Sequence, residues 1–162
     1  MANSDRPRGA EVAGRVMRAS KYIAGGIIYP GDFVHLEDDG KVDAAAAAES
    51  LIGVALSYAS ADGEEVIVSD HPDQRYIVQG NEDDIDAQTD IGLNYDIVAT
   101  AGDSSYKISR HELDTTSGDT TNTLQLKLLD VVDSPVNALG EFVDCVVKIN
   151  NHILGNVTTS AG

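Results

Sequence analysis

Apolar positions in this chain fall in short runs broken by Gly, Asp, Asn and Pro, a spacing that predicts many brief strands joined by tight turns. Residues 22–29 make two apolar pieces around the Gly25-Gly26 pair. Pro30-Gly31 then predicts a turn, because proline presets φ and glycine accepts a positive φ. In the run 33–36, Phe33 and His35 are expected on one face of a strand and Val34 and Leu36 on the other. Asp38-Asp39-Gly40 closes it as a hairpin. Residues 42–50 hold the alanine run Ala44 to Ala48, which predicts a short helix or an ordered loop. Residues 51–58 are almost continuously apolar and predict a strand buried on both faces. After a turn at Asp62-Gly63 the chain returns through 65–69, and residues 76–79 predict a further strand before the acidic loop 81–86.

In the second half, residues 94–99 and 106–109 are short strand candidates on either side of Ala101-Gly102-Asp103. Residues 114–122 have nothing apolar to bury and are expected as an exposed loop. Leu124, Leu126 and Leu128 alternate with Gln125 and Lys127, a period of two with one buried face, and 142–149 is the most apolar run near the end. The expected fold class is all-β: a compact β-barrel or β-sandwich of short antiparallel strands with at most one short helix. An extended basic arm over residues 1–20 precedes a β-rich domain over 21–154, and a small polar tail over 155–162 is expected to be flexible or used in assembly.

Composition sharpens this picture. A chain of 162 residues with 42% apolar content, no Trp and two Phe suits one domain whose core is built from Val, Ile, Leu and Ala. The net charge of −16 is unevenly spread. Up to Lys21, the five cations Arg6, Arg8, Arg15, Arg18 and Lys21 face only Asp5 and Glu11, a local +3 that leaves −19 for the rest of the total of −16. Such a body repels phosphate backbones and anionic lipid, so neither nucleic acid nor membrane is an expected partner. The basic arm is different: it suits an acidic groove on a partner, with Arg6 and Arg8 flanking Pro7 in a segment that orders on docking. Its removal is expected to leave the domain folded. No secretory leader and no apolar stretch long enough to span a bilayer is read, so a soluble protein made in the cytoplasm is expected.

Candidate chemistry is sparse. Cys145 sits in the apolar run 142–147, which points to a buried small hydrophobe rather than a nucleophile, and a lone cysteine forms no intrachain disulfide. His35, His71, His111 and His152 lack ligand spacing and are expected as scattered surface or interface residues. Asp83, Asp84, Asp86 and Asp90 are hard oxygen donors for Ca²⁺, but without the EF-hand glycine and closing Glu they read as a solvated acidic loop. No phosphate-binding glycine loop, nucleophile elbow or paired cysteines is present, so no cofactor or metal is expected. A carboxylate pair for glycoside hydrolysis carries little weight among 27 acidic residues, since some pair meets the spacing by chance.

The stretch His71-Pro72-Asp73-Gln74-Arg75-Tyr76-Ile77-Val78-Gln79 and the segment 87–94 resemble a family of tailed-bacteriophage head proteins, the decoration or capsid cement proteins. His111-Glu112-Leu113-Asp114, residues 147–155 and the opening Asp5-Arg6-Pro7-Arg8-Gly9 extend the resemblance over most of the chain. It implies a β-rich, non-enzymatic protein on the outer surface of the capsid, bound between major capsid protein subunits, commonly as a trimer or other small homo-oligomer. No active-site residue comes with the resemblance. Arg6, Arg8, Arg15, Arg18 and Lys21 are the residues expected to meet capsid carboxylates. The alternatives are a carbohydrate- or host-surface-binding β module on the virion and a carboxylate-pair hydrolase.

Overall fold

The computed structural model describes residues 3–82, 85 and 88–155. Within them the chain is all-β, as expected. In chain order the strands are β1 (Glu11–Val12), β2 (Ala19–Ile23), β3 (Phe33–Leu36), β4 (Val42–Ala44), β5 (Gly53–Ala55), β6 (Glu65–Ser69), β7 (Arg75–Gln79), β8 (Asn94–Tyr95), β9 (Ile97–Asp103), β10 (Ile108–Leu113), β11 (Leu126–Val131) and β12 (Asp144–Ile149). They form two five-stranded sheets, ordered β1-β7-β12-β11-β8 and β2-β6-β5-β3-β4, and a separate β9–β10 ribbon. All pairings between these strands are antiparallel, and each sheet keeps two open edges, so the arrangement is sandwich-like and not a closed barrel. The described helical residues are two single 3-10 turns, Gln88–Asp90 and Thr115–Ser117.

Alternation decides which side chains go inside. Along β12, Cys145, Val147 and Ile149 are buried while their neighbours are half-exposed, and Leu126 and Leu128 do the same on β11. These join Phe33, Val54, Tyr76, Val78, Ile97 and Leu113 in the larger core cluster. A second cluster, with Ile28, Val34, Val42, Ile52, Ala55, Val66 and Val68, covers the opposite face of the second sheet. Strands β3 and β5 are therefore buried on both faces: Phe33 and Val54 enter the first cluster, Val34 and Ala55 the second. Close packing inside that sheet also dictates a glycine, because a Cβ at Gly53 would stand 1.9 Å from the Ser69 carbonyl oxygen.

Several expectations change. Of the two outcomes expected for the alanine run, the ordered loop is found and the helix is not: the run finishes β4 and then turns, with Ala48 at φ +69°. Residues 101–103 belong to β9, and the turn comes later, at 104–107. Residues 3–20, expected as an arm, are built into the domain. Ala10 is 5% exposed, its N–H donates to the Gly31 carbonyl, Glu11–Val12 pair with Ile77 and Tyr76, and Ala19 already lies in β2 opposite Ser69. Removal of 1–20 therefore takes away β1 and the start of β2, and no intact domain is expected to remain. The acidic positions 83, 84 and 86 and the tail from 156 onward lie outside the described residues. No described helix is long and apolar enough to cross a membrane.

Candidate functional site

The Pro30-Gly31 turn creates an unusual polar environment. Asp32 N–H donates to the Tyr29 carbonyl at 3.0 Å with Gly31 at φ +96°, and the Tyr29 N–H donates back to Asp32 Oδ2 at 3.0 Å. The Asp32 carboxylate is thereby folded under its own turn, 2% exposed, just before β3 begins. On β10 the alternation that buries Ser109 and Leu113 also buries His111 between them. The Phe33 N–H donates to His111 Nδ1 at 3.1 Å, and the His111 N–H donates to Ser109 Oγ at 3.1 Å. Because Nδ1 accepts, the ring hydrogen sits on Nε2, which faces Asp32 Oδ1 at 3.6 Å, beyond hydrogen-bond length. Burial lowers the His111 pKa, and the nearby Asp32 opposes that shift without reversing it. Asp32 Oδ1 is left buried with no hydrogen-bond partner.

Above this pair lies a cleft of about 410 Å³, walled by Ile27, Tyr29, the alanines at 44–46 and residues 99–102 of β9. Its wall is held from behind by Gln125, whose amide donates to the Ala46 and Glu49 carbonyls at 2.8 Å each. The pair does not suit general-base catalysis. One imidazole nitrogen is occupied by a backbone N–H and the other carries a hydrogen toward a carboxylate, so neither is free to accept a substrate proton. What the geometry offers is a buried acceptor beneath a methyl-lined cleft.

A second buried aspartate has the opposite character. Asp70 Oδ1 accepts from Arg18 Nε at 2.9 Å, its carbonyl accepts from Arg18 Nη2 at 3.1 Å, and Oδ2 accepts from the Tyr22 hydroxyl at 2.7 Å. Burial alone would raise the Asp70 carboxyl, but hydrogen bonds from Tyr22, Arg18 and Ser20 together hold it below the usual range. Burial and the bond to Asp70 push the Tyr22 hydroxyl up. Beside this corner, His152 is 2% exposed, its Nδ1 accepts from the Leu154 N–H at 3.0 Å, and burial pushes its pKa down to about 4.

Three of the four histidines, expected as scattered surface or interface residues, lie in the interior, while His71 stays half-exposed. His35, His111 and His152 are all buried, and His35 Nδ1 lies 2.6 Å from the Ser50 carbonyl. His71 Nδ1 accepts from the Asp73 N–H at 3.0 Å. Histidine is polar, so its presence in an apolar run does not itself announce burial; on β10 the alternation of Ser109, His111 and Leu113 puts His111 on the inward face. Among the described residues no three His, Cys, Asp or Glu side chains converge as metal ligands. Cys145 is fully buried and its thiol is pushed up to about 12 by burial, which keeps it an unreactive thiol.

The five arm cations separate into two groups. Arg8 pairs with Asp144 at 3.1 Å and Glu11 at 3.6 Å, Arg18 with Asp70, and Lys21 with Glu65 at 3.5 Å, so these three bind the segment to its own domain. Arg6 and Arg15 are exposed and form no ion pair among the described residues. Backbone clamps add to the strapping: the Arg6 N–H donates to Gln79 Oε1, Gln79 Nε2 donates to the Ser4 carbonyl, and the Met17 N–H donates to Gln74 Oε1. Asp5 also reaches the body, where Glu112 is pushed up to about 7, mainly by burial and further by repulsion from Asp5. The segment then borders a shallow apolar groove of about 380 Å³ lined by Val12, Val16, Leu56 and Ile108. The chain matches no protein-family model and no curated protein sequence.

Proposed function

We propose that this protein is a non-enzymatic decoration protein of a tailed-phage head, binding the outer surface of the major capsid protein lattice as a small homo-oligomer, with a trimer favoured. The observation that carries the reading is the face made by the N-terminal segment. There Val16, Leu56 and Ile108 stay 47%, 37% and 44% exposed beside a groove that Arg8 and Lys107 also line, with the exposed Arg15 adjacent to Val16 in the chain and the exposed Arg6 in the same N-terminal segment, on a chain of net charge −16. An apolar strip with flanking cations on an otherwise acidic molecule suits adhesion to a protein lattice, and attachment at several such points multiplies weak contacts. The segments that resemble the decoration family interlock. Gln74 and Gln79 clamp the N-terminal segment, and Lys148 pairs with Asp73 at 2.9 Å. Adhesion also fits the engaged nitrogens of His111 and the buried thiol of Cys145, neither of which is disposed for catalysis.

Cosedimentation with purified heads lacking the protein tests this. The wild type is expected to bind near-stoichiometrically, and Arg6→Glu with Arg15→Glu is expected to weaken binding by about tenfold or more while leaving the circular dichroism unchanged, because neither side chain forms an ion pair among the described residues. Binding to host-envelope glycans with none to heads would replace this reading by that of a host-surface module.

A further inference from the structure

We infer that the cleft over Asp32 and His111 is a binding site for a primary alkylammonium group, the chemistry shared by a lysine side chain of a protein partner and a free aliphatic amine. The site shares no lining residue with the groove used above, although the turn at 29–32 borders both, and it does not depend on the identity of the lattice.

Charge comes first. Asp32 is 2% exposed, accepts one backbone N–H on Oδ2, and has nothing within hydrogen-bond distance of Oδ1. The only basic group within 4 Å of its carboxylate among the described residues is the His111 ring, which cannot take a second proton without losing the bond from the Phe33 N–H. A carboxylate removed from water without a counter-charge is costly, and a cation reaching the unpartnered oxygen from the cleft that Asp32 lines relieves that cost.

The kind of cation follows from the remaining geometry. A divalent metal needs a bare ring nitrogen, and His111 Nε2 bears the hydrogen, so the pair is a poor metal ligand set. A guanidinium matches two carboxylate oxygens at once, and Oδ2 is already engaged by the Tyr29 N–H. A single N⁺–H donor satisfies what is left. The walls choose the rest of the ligand: Ala44, Ala45, Ala46, Ala99 and Ala101 line the cleft together with Ile27, small and apolar residues that suit an unbranched aliphatic stem. The alanine run, which has no helix to build, finds a role here.

The test is a titration of ¹⁵N-labelled protein with n-butylammonium at neutral pH, with n-butanol as the neutral analogue of equal length. Saturable shifts at the amides of residues 44–46, 99–102 and Phe33 are expected with the amine and not with the alcohol. Asp32→Asn is expected to weaken the amine by about tenfold or more, the worth of one charge-assisted contact. Ala101→Leu, at the exposed rim, is expected to block the cleft while leaving Asp32 untouched. A lysine-containing peptide binding better than putrescine identifies a protein partner, and the reverse order identifies a free amine. Equal response to amine and alcohol, or retention of amine binding in a folded Asp32→Asn variant, overturns the proposal.

Discussion

Asp70 and Asp32 are equally hidden, each 2% exposed, and each lies close to a buried histidine, yet the protein treats them in opposite ways. Asp70 is saturated: a guanidinium and a phenol occupy both its oxygens, and the assembly ties β2 to the end of β6. Asp32 receives a single backbone N–H and faces an imidazole N–H at 3.6 Å. The contrast shows that burial of a carboxylate does not by itself mark a site. An unfilled oxygen beside an unfilled cleft does, because a group with all partners inside the fold has nothing left to offer a ligand.

Removing charge at each position tests the contrast most strongly. Asp70→Asn leaves Arg18 without its counter-ion and is expected to cost about 2 to 3 kcal/mol in urea unfolding at neutral pH. Asp32→Asn keeps an oxygen for the Tyr29 N–H and removes an uncompensated charge, so its stability is expected within about 1 kcal/mol of wild type or above it. Equal losses at the two positions would erase the distinction.

Acid titration probes the same two regions less directly. His152, beside the Asp70 corner, has a folded-state pKa of about 4. Unfolded histidine titrates near about 6.5, so the unfolded chain takes up a proton that the folded chain refuses. Stability is expected to fall as pH drops from about 6.5 toward about 4, and His152→Gln is expected to flatten that limb. Glu112 works in the other direction. With a folded value of about 7 its contribution is complete below the unfolded carboxyl range, near about 4.3, and is lost as pH rises through about 7. Glu112→Gln should therefore raise the melting temperature above pH 7 and leave it unchanged near pH 4, as read by calorimetry across the range. An unaltered profile in both variants would mean that neither group titrates as its surroundings dictate.

Local signals made β3, the 38–40 hairpin and the inward face of β11 at Leu126 and Leu128 legible in the sequence, since alternation and turn residues act between near neighbours. What the sequence hid depends on distant partners. Glu11–Val12 become a strand only because Tyr76 and Ile77 offer an edge, and Arg18 is structural because Asp70, one of many acids, ends up beneath it. Gly102 looked like part of a turn, yet it sits in β9, where the position demands glycine because a Cβ would stand 2.3 Å from the Tyr29 ring. The Asp32–His111 pair joins a turn to a strand from the other half of the chain. The Pro-Gly turn was legible, but His111 was expected at the surface, and its inward place follows from the alternation along β10, a strand read in the sequence only as far as residue 109.

The smallest expected effect concerns the wall that separates an open site from a closed one. Ala48 closes the loop after β4 in a left-handed conformation, φ +69°, which costs an L-residue about 1 to 2 kcal/mol, part of which glycine returns to the greater freedom of its unfolded chain. Ala48→Gly is thus expected to stabilise by about 0.5 kcal/mol, and Ala48→Val, β-branched at the same φ, to destabilise. The loop itself is set by other contacts: Gln125 grips the carbonyls of Ala46 and Glu49, and the Ala46 N–H donates to Glu49 Oε2 at 2.8 Å. With those intact, the glycine variant should bind n-butylammonium as wild type does. A gain in stability accompanied by a loss of amine binding would show that strain at Ala48, and not the Gln125 clamp, holds the cleft open.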